Sequence, residues 1–381
     1  MQRTIFEPEH DAYRKSVRTF LAREVTPHYE EWDRDGIVPR ELFTKVAELG
    51  LFAAVPEEYG GAGIDDFRYN SVFIEESARV GVSPAMLGPG LQADMCMPYL
   101  LELTNEEQRE RWLPGIASGE LITAIGMTEP GTGSDLSGIR TRAVLDGDHY
   151  VINGAKTFIT NGINADLVIT AVRTGDHPHK GLSLVVVEAG TPGFERGRNL
   201  EKIGMHAQDT AELSFNHVRV PVANLLGREG DGFFGLTANL PQERLSIAVA
   251  AIAQAQAALD WTLEYVRSRK AFGTSIGSFQ ATRFRLAELA TEIDITQHYV
   301  DRSILELNDG TLSPVDAAKA KLWSTELLGR TVDACLQLHG GYGYMLEYPI
   351  ARAYADVRIS RIYGGTSEIM KEIIGRSLEL G

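Results

Sequence analysis

The sequence predicts an α+β protein in three sections: an N-terminal α-helical domain (1–120), a central β-barrel or sandwich domain (121–234) and a C-terminal four-helix bundle (235–381). Three observations carry this. Apolar residues recur at helical spacing in the first section, short strands bounded by turn residues fill the second, and the third holds helical runs of growing length joined by short loops. At 381 residues the chain suits two or three packed units, at roughly 150 residues per domain.

The first helix spaces Tyr13, Val17, Phe20 and Leu21 along one face, and "RELFTKVAELGLF" repeats the pattern up to a capping Gly50. Asn105 and Gln108 form a reciprocal cap pair for the helix of "NEEQRERWLPGIASG". Past residue 120, Asp146-Gly147 sits between β-rich runs as a hairpin turn. "AELSFNHVRVP" sets Leu213 and Phe215 against Glu212, Ser214 and Asn216, the alternation of a half-buried strand. With no helices interleaved, these strands predict a sandwich or barrel and not a βαβ sheet. Helical periodicity returns over 240–268, 279–308, 313–338 and 366–379, the pattern of an up-down bundle.

A net charge of −15 argues against nucleic acid and against an anionic membrane surface, because both need clustered Lys and Arg. No run approaches the roughly 20 apolar residues of a membrane span. Cys96 and Cys335 lie in apolar helical patterns and read as free buried thiols. The N-terminal residues are too acidic for a transit peptide and lack an apolar secretory core. The expected location is the cytoplasm, or the mitochondrial matrix for a processed chain.

Several motifs stand out. "MTEPGTGSDLSGIRTRA" (127–143) holds two glycines of a dinucleotide fingerprint but runs from strand to strand, so a Rossmann reading fails on context. A tight glycine turn is its plain alternative. "GAKTFITNG" (154–162) puts Phe158 and Thr160 on one strand face, where both could equally serve the core. "RSRKAFGTSIGSFQ" (267–280) holds Arg269, Phe272 and Gln280 at a helix end, where a solvated cation is favourable in any case. "QLHGGYGYMLEYPIARAYADVR" (337–358) and "IYGGTSEI" (362–369) follow.

In this order the five motifs resemble those of the acyl-CoA dehydrogenase family across essentially the whole chain, with wording closest to its long-chain members. The resemblance implies the three-part fold above, bound FAD, an acyl-CoA substrate, electron-transferring flavoprotein as electron acceptor, and a homotetramer built as a dimer of dimers. It implies that Met127 and Thr128 touch the flavin ring and that Ser134 meets the CoA arm. Thr160 would donate towards the flavin N5 edge while Phe158 covers the ring; many relatives carry Trp there, so an N–H is lost. Arg269 would meet the FAD pyrophosphate of an adjacent subunit and Gln280 its adenosine half, with Phe272 in the same turn. Gln337, Gly340, Gly341, Thr366, Ser367 and Glu368 would add cofactor contacts, those at Thr366 through the free N–H groups of a helix N-terminus.

The chemistry implied is α,β-dehydrogenation of a fatty acyl thioester, of medium, long or branched chain, to the trans-2-enoyl-CoA. Most relatives carry a catalytic Glu directly after the Tyr of their second signature; here Tyr363 is followed by Gly364. A minority of the family places the base at the start of the first bundle helix, and Glu243 in "NLPQERLSIA" (239–248) falls on that position. The structural alternative has Asn239 capping the helix, Gln242 closing a capping box and Glu243 complementing the dipole from the first turn. As a base, Glu243 would feel the dipole lowering its pKa and burial raising it. Gly364 would keep a backbone N–H for the thioester oxygen, with Tyr363 beside it at the substrate, and Arg244 matches a CoA-contacting Arg or forms a surface salt bridge. "SPAMLGPGLQADMCMPYL" (83–100) would help line the acyl pocket, with Met86, Met95 and Met97 among its residues. Competing readings are an acyl-CoA oxidase reoxidised by O₂, a flavin monooxygenase of the same fold, and an inactive helical scaffold. Chain length favours the dehydrogenase over the oxidase, since many oxidases carry an extra C-terminal domain.

Overall fold

In the computed structural model, which describes residues 2–379, seven helices come first. They are α1 (Pro8–Phe20), α2 (Tyr29–Asp35), α3 (Glu41–Glu48), α4 (Phe67–Arg79), α5 (Ser83–Leu91), α6 (Met97–Leu103) and α7 (Glu106–Ala117). The expected caps are present: Asn105 and Gln108 exchange hydrogen bonds at the start of α7, and Gly50 takes a positive φ just beyond α3. Five-residue π-helical turns follow α1 at Leu21–Val25 and α5 at Gln92–Cys96. Turns of this width re-aim the side chains beyond them and recur at functional sites.

Eight strands follow: β1 (Thr123–Gly126), β2 (Arg142–Asp146), β3 (His149–Thr160), β4 (Leu167–Arg173), β5 (Leu182–Glu188), β6 (Phe194–Asn199), β7 (Thr210–Pro221) and β8 (Leu225–Leu226). Their order is β6-β7-β3-β2-β4-β5-β8, with β1 pairing β4 in parallel. The path is open, so the sandwich alternative describes it and a closed barrel does not. Only Arg142↔Arg173 joins β2 to β4. The two half-sheets meet over a core that includes Tyr150, Ile152, Val168, Val185, Leu213 and Phe215. The outer faces of β4 and β5 join the N-terminal helices through Leu167, Ile169, Leu184 and Val186. Burial on both faces explains why these two strands read as unbroken apolar runs while β7 alternates. The alternation of β7 slips at His217, which sits at φ 51°.

The last section contains α8 (Gly232–Ser268), the short β9 (Lys270–Ala271) and β10 (Thr274–Ser275), α9 (Gln280–Asn308), α10 (Pro314–His339), α11 (Pro349–Asp356) and α12 (Ser367–Arg376). Helices α8, α9, α10 and α12 form the bundle, and α4 packs along α8 as well. Its core is a separate apolar cluster that includes Leu245, Ile252, Leu259, Leu289, Val300 and Leu328. Asp66 bolts the first section to the bundle, bonding His10, Arg68 and Asn308. Among the described residues no helix is long and apolar enough to cross a membrane. Both cysteines are free and buried.

The start of α8 corrects the expected local structure. The helix begins at Gly232 and runs through Pro241, so Asn239 caps nothing and Gln242 closes no capping box. Asn239 is buried in the helix with its Nδ2 unpartnered, and the Gln242 amide donates to the Asp94 carbonyl at 3.0 Å. Proline inside a helix forfeits one hydrogen bond; packing of α8 against α4, α6 and α10 overrides that local cost at Pro241.

Candidate active site

Glu243 lies about three turns inside α8, beyond reach of the helix N-terminal dipole, which fades within the first turn. The expected contest between dipole and burial therefore does not arise. The carboxyl is 3 % exposed, and burial pushes it up to about 6. Two weaker influences pull the other way: the Tyr99 hydroxyl donates to Oε1 at 2.8 Å, and the Arg244 guanidinium is near. A carboxyl held near 6 is largely ionised at neutral pH yet far more basic than an exposed one.

Arg244 is also buried, at 5 % exposed, with its Nε unpartnered, so the surface salt bridge is ruled out. Lys321 of α10 is a third buried charge here. Its ammonium donates to the Gly365 carbonyl, while burial and then Arg244 pull its pKa down to about 8. Gly364 and Gly365 hold φ values of 62° and 95°, which glycine adopts without strain. A Cβ built on Gly364 would lie 2.4 Å from Ile247 Cδ1. Ile247 is one turn beyond Glu243 on the same face of α8. The glycine turn and the Glu243 face of α8 are thus direct neighbours.

The same α8 face continues into a narrow cavity of about 60 Å³. Ser246, Ala250 and Gln254 line it from α8, Phe73, Ile74 and Ser77 from α4, and Met86, Leu87 and Gly90 from α5. Tyr363 and Asp94 also border it. Met86 and Met95 line this cavity, while Met97 is packed in the core of the first section. A Cβ on Gly90 would meet nothing within 4 Å, so the glycine leaves room in the wall.

A second group of expected residues meets at the edge of the sandwich. The Thr157 N–H donates to the Thr128 carbonyl at 2.9 Å, which joins the Met127–Thr128 segment to the β3 stretch carrying Phe158 and Thr160. Beneath it the buried Lys156 ammonium bonds the Met127 carbonyl at 3.1 Å and Glu129 Oε1 at 2.8 Å. Phe158 sits in a bulge at φ 61° and is 68 % exposed, so simple alternation does not describe it. Positive φ in a bulky residue costs about 1–3 kcal/mol and persists only where its surroundings enforce it. Ser134 is exposed in the glycine turn that leaves β1.

A third group lies at the far end of the bundle. Arg269 stacks over Tyr342, with its guanidinium carbon 5.4 Å from the ring centroid, and Tyr265 OH donates to the His339 carbonyl at 3.1 Å. These contacts gather Arg269, Gln337, Gly340 and Gly341. Phe272, at φ 52°, is 97 % exposed, and Gln280 opens α9. Along α8 this end is about 38 Å from Glu243, at 1.5 Å per residue. Thr366 caps α12 by accepting the Ile369 N–H at 3.4 Å, Ser367 donates to Glu326 at 2.8 Å, and Glu368 is exposed. Sequence reasoning missed Tyr99, Lys321 and Asp94. Tyr99 and Asp94 stood in the segment expected to line the pocket, but nothing in its pattern singled them out; Lys321 gave no signal.

Comparison with known proteins matches the whole length. The acyl-CoA dehydrogenase N-terminal, middle and C-terminal domain families cover residues 7–120, 124–218 and 230–379. The long-chain specific acyl-CoA dehydrogenase of Sus scrofa mitochondria is 46 % identical over 381 residues, covering 99 % of this chain and 88 % of that protein. The crystal structure of an acyl-CoA dehydrogenase from Geobacillus kaustophilus is 49 % identical, covers all of both chains and superposes with a TM-score of 0.97. A glutaryl-CoA dehydrogenase from Mycobacterium smegmatis, solved in complex with FADH2, is 28 % identical with a TM-score of 0.91, covering 98 % of this chain and 95 % of that one. The chain belongs to the acyl-CoA dehydrogenase family of oxidoreductases.

Proposed function

We propose that this protein dehydrogenates a medium-, long- or branched-chain fatty acyl-CoA between Cα and Cβ, with Glu243 as the base that removes the α-proton. The observation that carries the reading is the adjacency of the Glu243 face of α8 to the glycine turn where most relatives keep their base. Burial without the helix dipole gives Glu243 the basicity the step asks for. The Gly364 N–H, in a turn braced by Lys321 at the Gly365 carbonyl, polarises the thioester oxygen and so acidifies the α-proton. Tyr363 borders the substrate, and Arg244 and Ser134 take its CoA portion. The apolar cavity receives the tail and keeps water from the carboxylate.

The residues fit FAD. Exposed aromatic Phe158 on strained backbone beside Thr160, Met127 and Thr128 is the form a surface takes when it awaits a flat partner. When bound, the flavin would accept the β-hydrogen as hydride. Thr366, Ser367 and Glu368 would hold phosphate and ribityl groups at the start of α12. Arg269, Phe272, Gln280, Gln337, Gly340 and Gly341, about 38 Å from Glu243, would serve the cofactor of a neighbouring copy. That separation supports the homotetramer, and electron-transferring flavoprotein is the proposed acceptor. The test is anaerobic bleaching of the purified yellow holoprotein by acyl-CoAs of graded length and branching. Bleaching by a subset is expected; a colourless protein, or no bleaching by any of them, overturns the reading.

A further inference from the structure

Asp94 is a buried acid in a pocket wall that should need none. It sits in the π-helical turn after α5, is 2 % exposed and lines the acyl cavity together with Phe73, Met86, Leu91 and Met95. Asn70 of α4 donates to its Oδ1 at 2.6 Å, and the Ser246 hydroxyl of α8 donates to its Oδ2. No cation pairs with it among the described residues. A carboxylate offers about four acceptor positions, of which these bonds use two. Tying α4 to α8 requires only a neutral amide or hydroxyl, and an unpaired charge in an apolar wall is costly. The surplus acceptor capacity borders a cavity whose other walls are mostly hydrocarbon.

We infer that the acyl chain taken by this site carries a hydroxyl group on the stretch that passes Asp94, and that Asp94 selects it by accepting that hydroxyl's hydrogen bond. The position along the chain follows from α8. Ser246, which holds Asp94, lies one turn beyond Glu243 on the same face, about 4.5 Å further along the helix. The hydroxyl therefore belongs a few bonds beyond the reacting carbons, not at the far end of the tail. The substrate class is a mid-chain hydroxyacyl-CoA. A plain chain would leave the remaining acceptor positions of Asp94 unfilled, and sites built to bond a substrate hydroxyl discriminate strongly against the analogue lacking it. This assignment rests on the dehydrogenase reading above.

The test uses the holoenzyme and compares kcat/KM for a saturated acyl-CoA with its monohydroxylated counterparts of equal length, the hydroxyl walked carbon by carbon. Wild type is expected to favour one mid-chain hydroxyl isomer at least tenfold over the plain chain. Asp94→Leu is expected to reverse that ratio, and Asp94→Asn to reduce it while keeping the α4–α8 tie. Loss of packing alone would slow both substrates together and leave the ratio unmoved. Wild type processing the plain chain as well as every hydroxylated one sinks the Asp94 assignment and leaves the dehydrogenase intact. An unchanged ratio in Asp94→Asn does the same, should Asp94→Leu not fold. Failure of every acyl-CoA to bleach the flavin removes both readings.

Discussion

The Glu243 position on α8 and the wall of the neighbouring cavity each hold one buried carboxyl, and burial pushes both up to about 6. Their partners differ. Glu243 takes one hydrogen bond, from Tyr99, and stands beside the Arg244 guanidinium. Asp94 takes two neutral hydrogen bonds and has no cation. The first arrangement sets a nearby cation against the cost of burial, as suits the proposed role of a proton acceptor. The second fixes both oxygens in orientation, as suits a group that only accepts. Two carboxyls brought to the same value by one cause, desolvation, can therefore serve different tasks, and their hydrogen-bond partners tell them apart.

The largest effect expected separates the two acids by chemistry. Glu243→Gln should bind flavin and acyl-CoA normally but slow anaerobic flavin reduction by about 10²–10⁴-fold, the usual worth of a positioned base; near-normal turnover would remove Glu243 from the mechanism. The next joins them by stability. A carboxyl whose folded pKa lies above its unfolded value makes the protein most stable below about pH 4, and stability is lost as pH rises from there through about 6. Asp94→Asn should abolish that part of the loss, gaining about 2–3 kcal/mol at pH 7 relative to pH 4 in urea unfolding. A variant whose pH slope matches wild type would show that Asp94 is not held up by burial. The smallest effect probes the Tyr99 bond alone. That bond favours the ionised Glu243, so Tyr99→Phe should move the acid limb of the kcat/KM profile to higher pH by about half a unit to one unit. A shift to lower pH would contradict the geometry.

Much of the fold was legible because its signals are local. The Asn105–Gln108 cap, the Asp146-Gly147 hairpin and the alternation around Leu213 and Phe215 each depend on residues a few positions apart. The start of α8 was not, since Pro241 and Asn239 together look like a boundary and only distant packing makes them interior. The site divides in the same way. Glu243 stood out because its motif and the empty position at Gly364 pointed to each other. Its neighbours did not, because Tyr99 reaches it across 144 residues of sequence and Lys321 meets Gly365 across 44. Phe158 was read as one tooth of a regular strand, and the bulge that turns it outward has no marker such as glycine.

If Glu243 is the base, as proposed, Ile247 makes a move of that base to position 364 difficult. Its Cδ1 occupies the space a side chain at Gly364 would enter, and the glycine's φ of 62° disfavours any replacement. Returning a glutamate to position 364 would therefore meet a steric and a backbone obstacle before it gained any chemistry. Ile247 would have to shrink or turn aside first, and by itself that step would open a hole beside Glu243. The two substitutions are coupled through one contact, so their effects would not add. A single-residue change at Gly364 is therefore obstructed, and under the proposed assignment the position of the base behaves as a ratchet in the space of sequences this fold can explore.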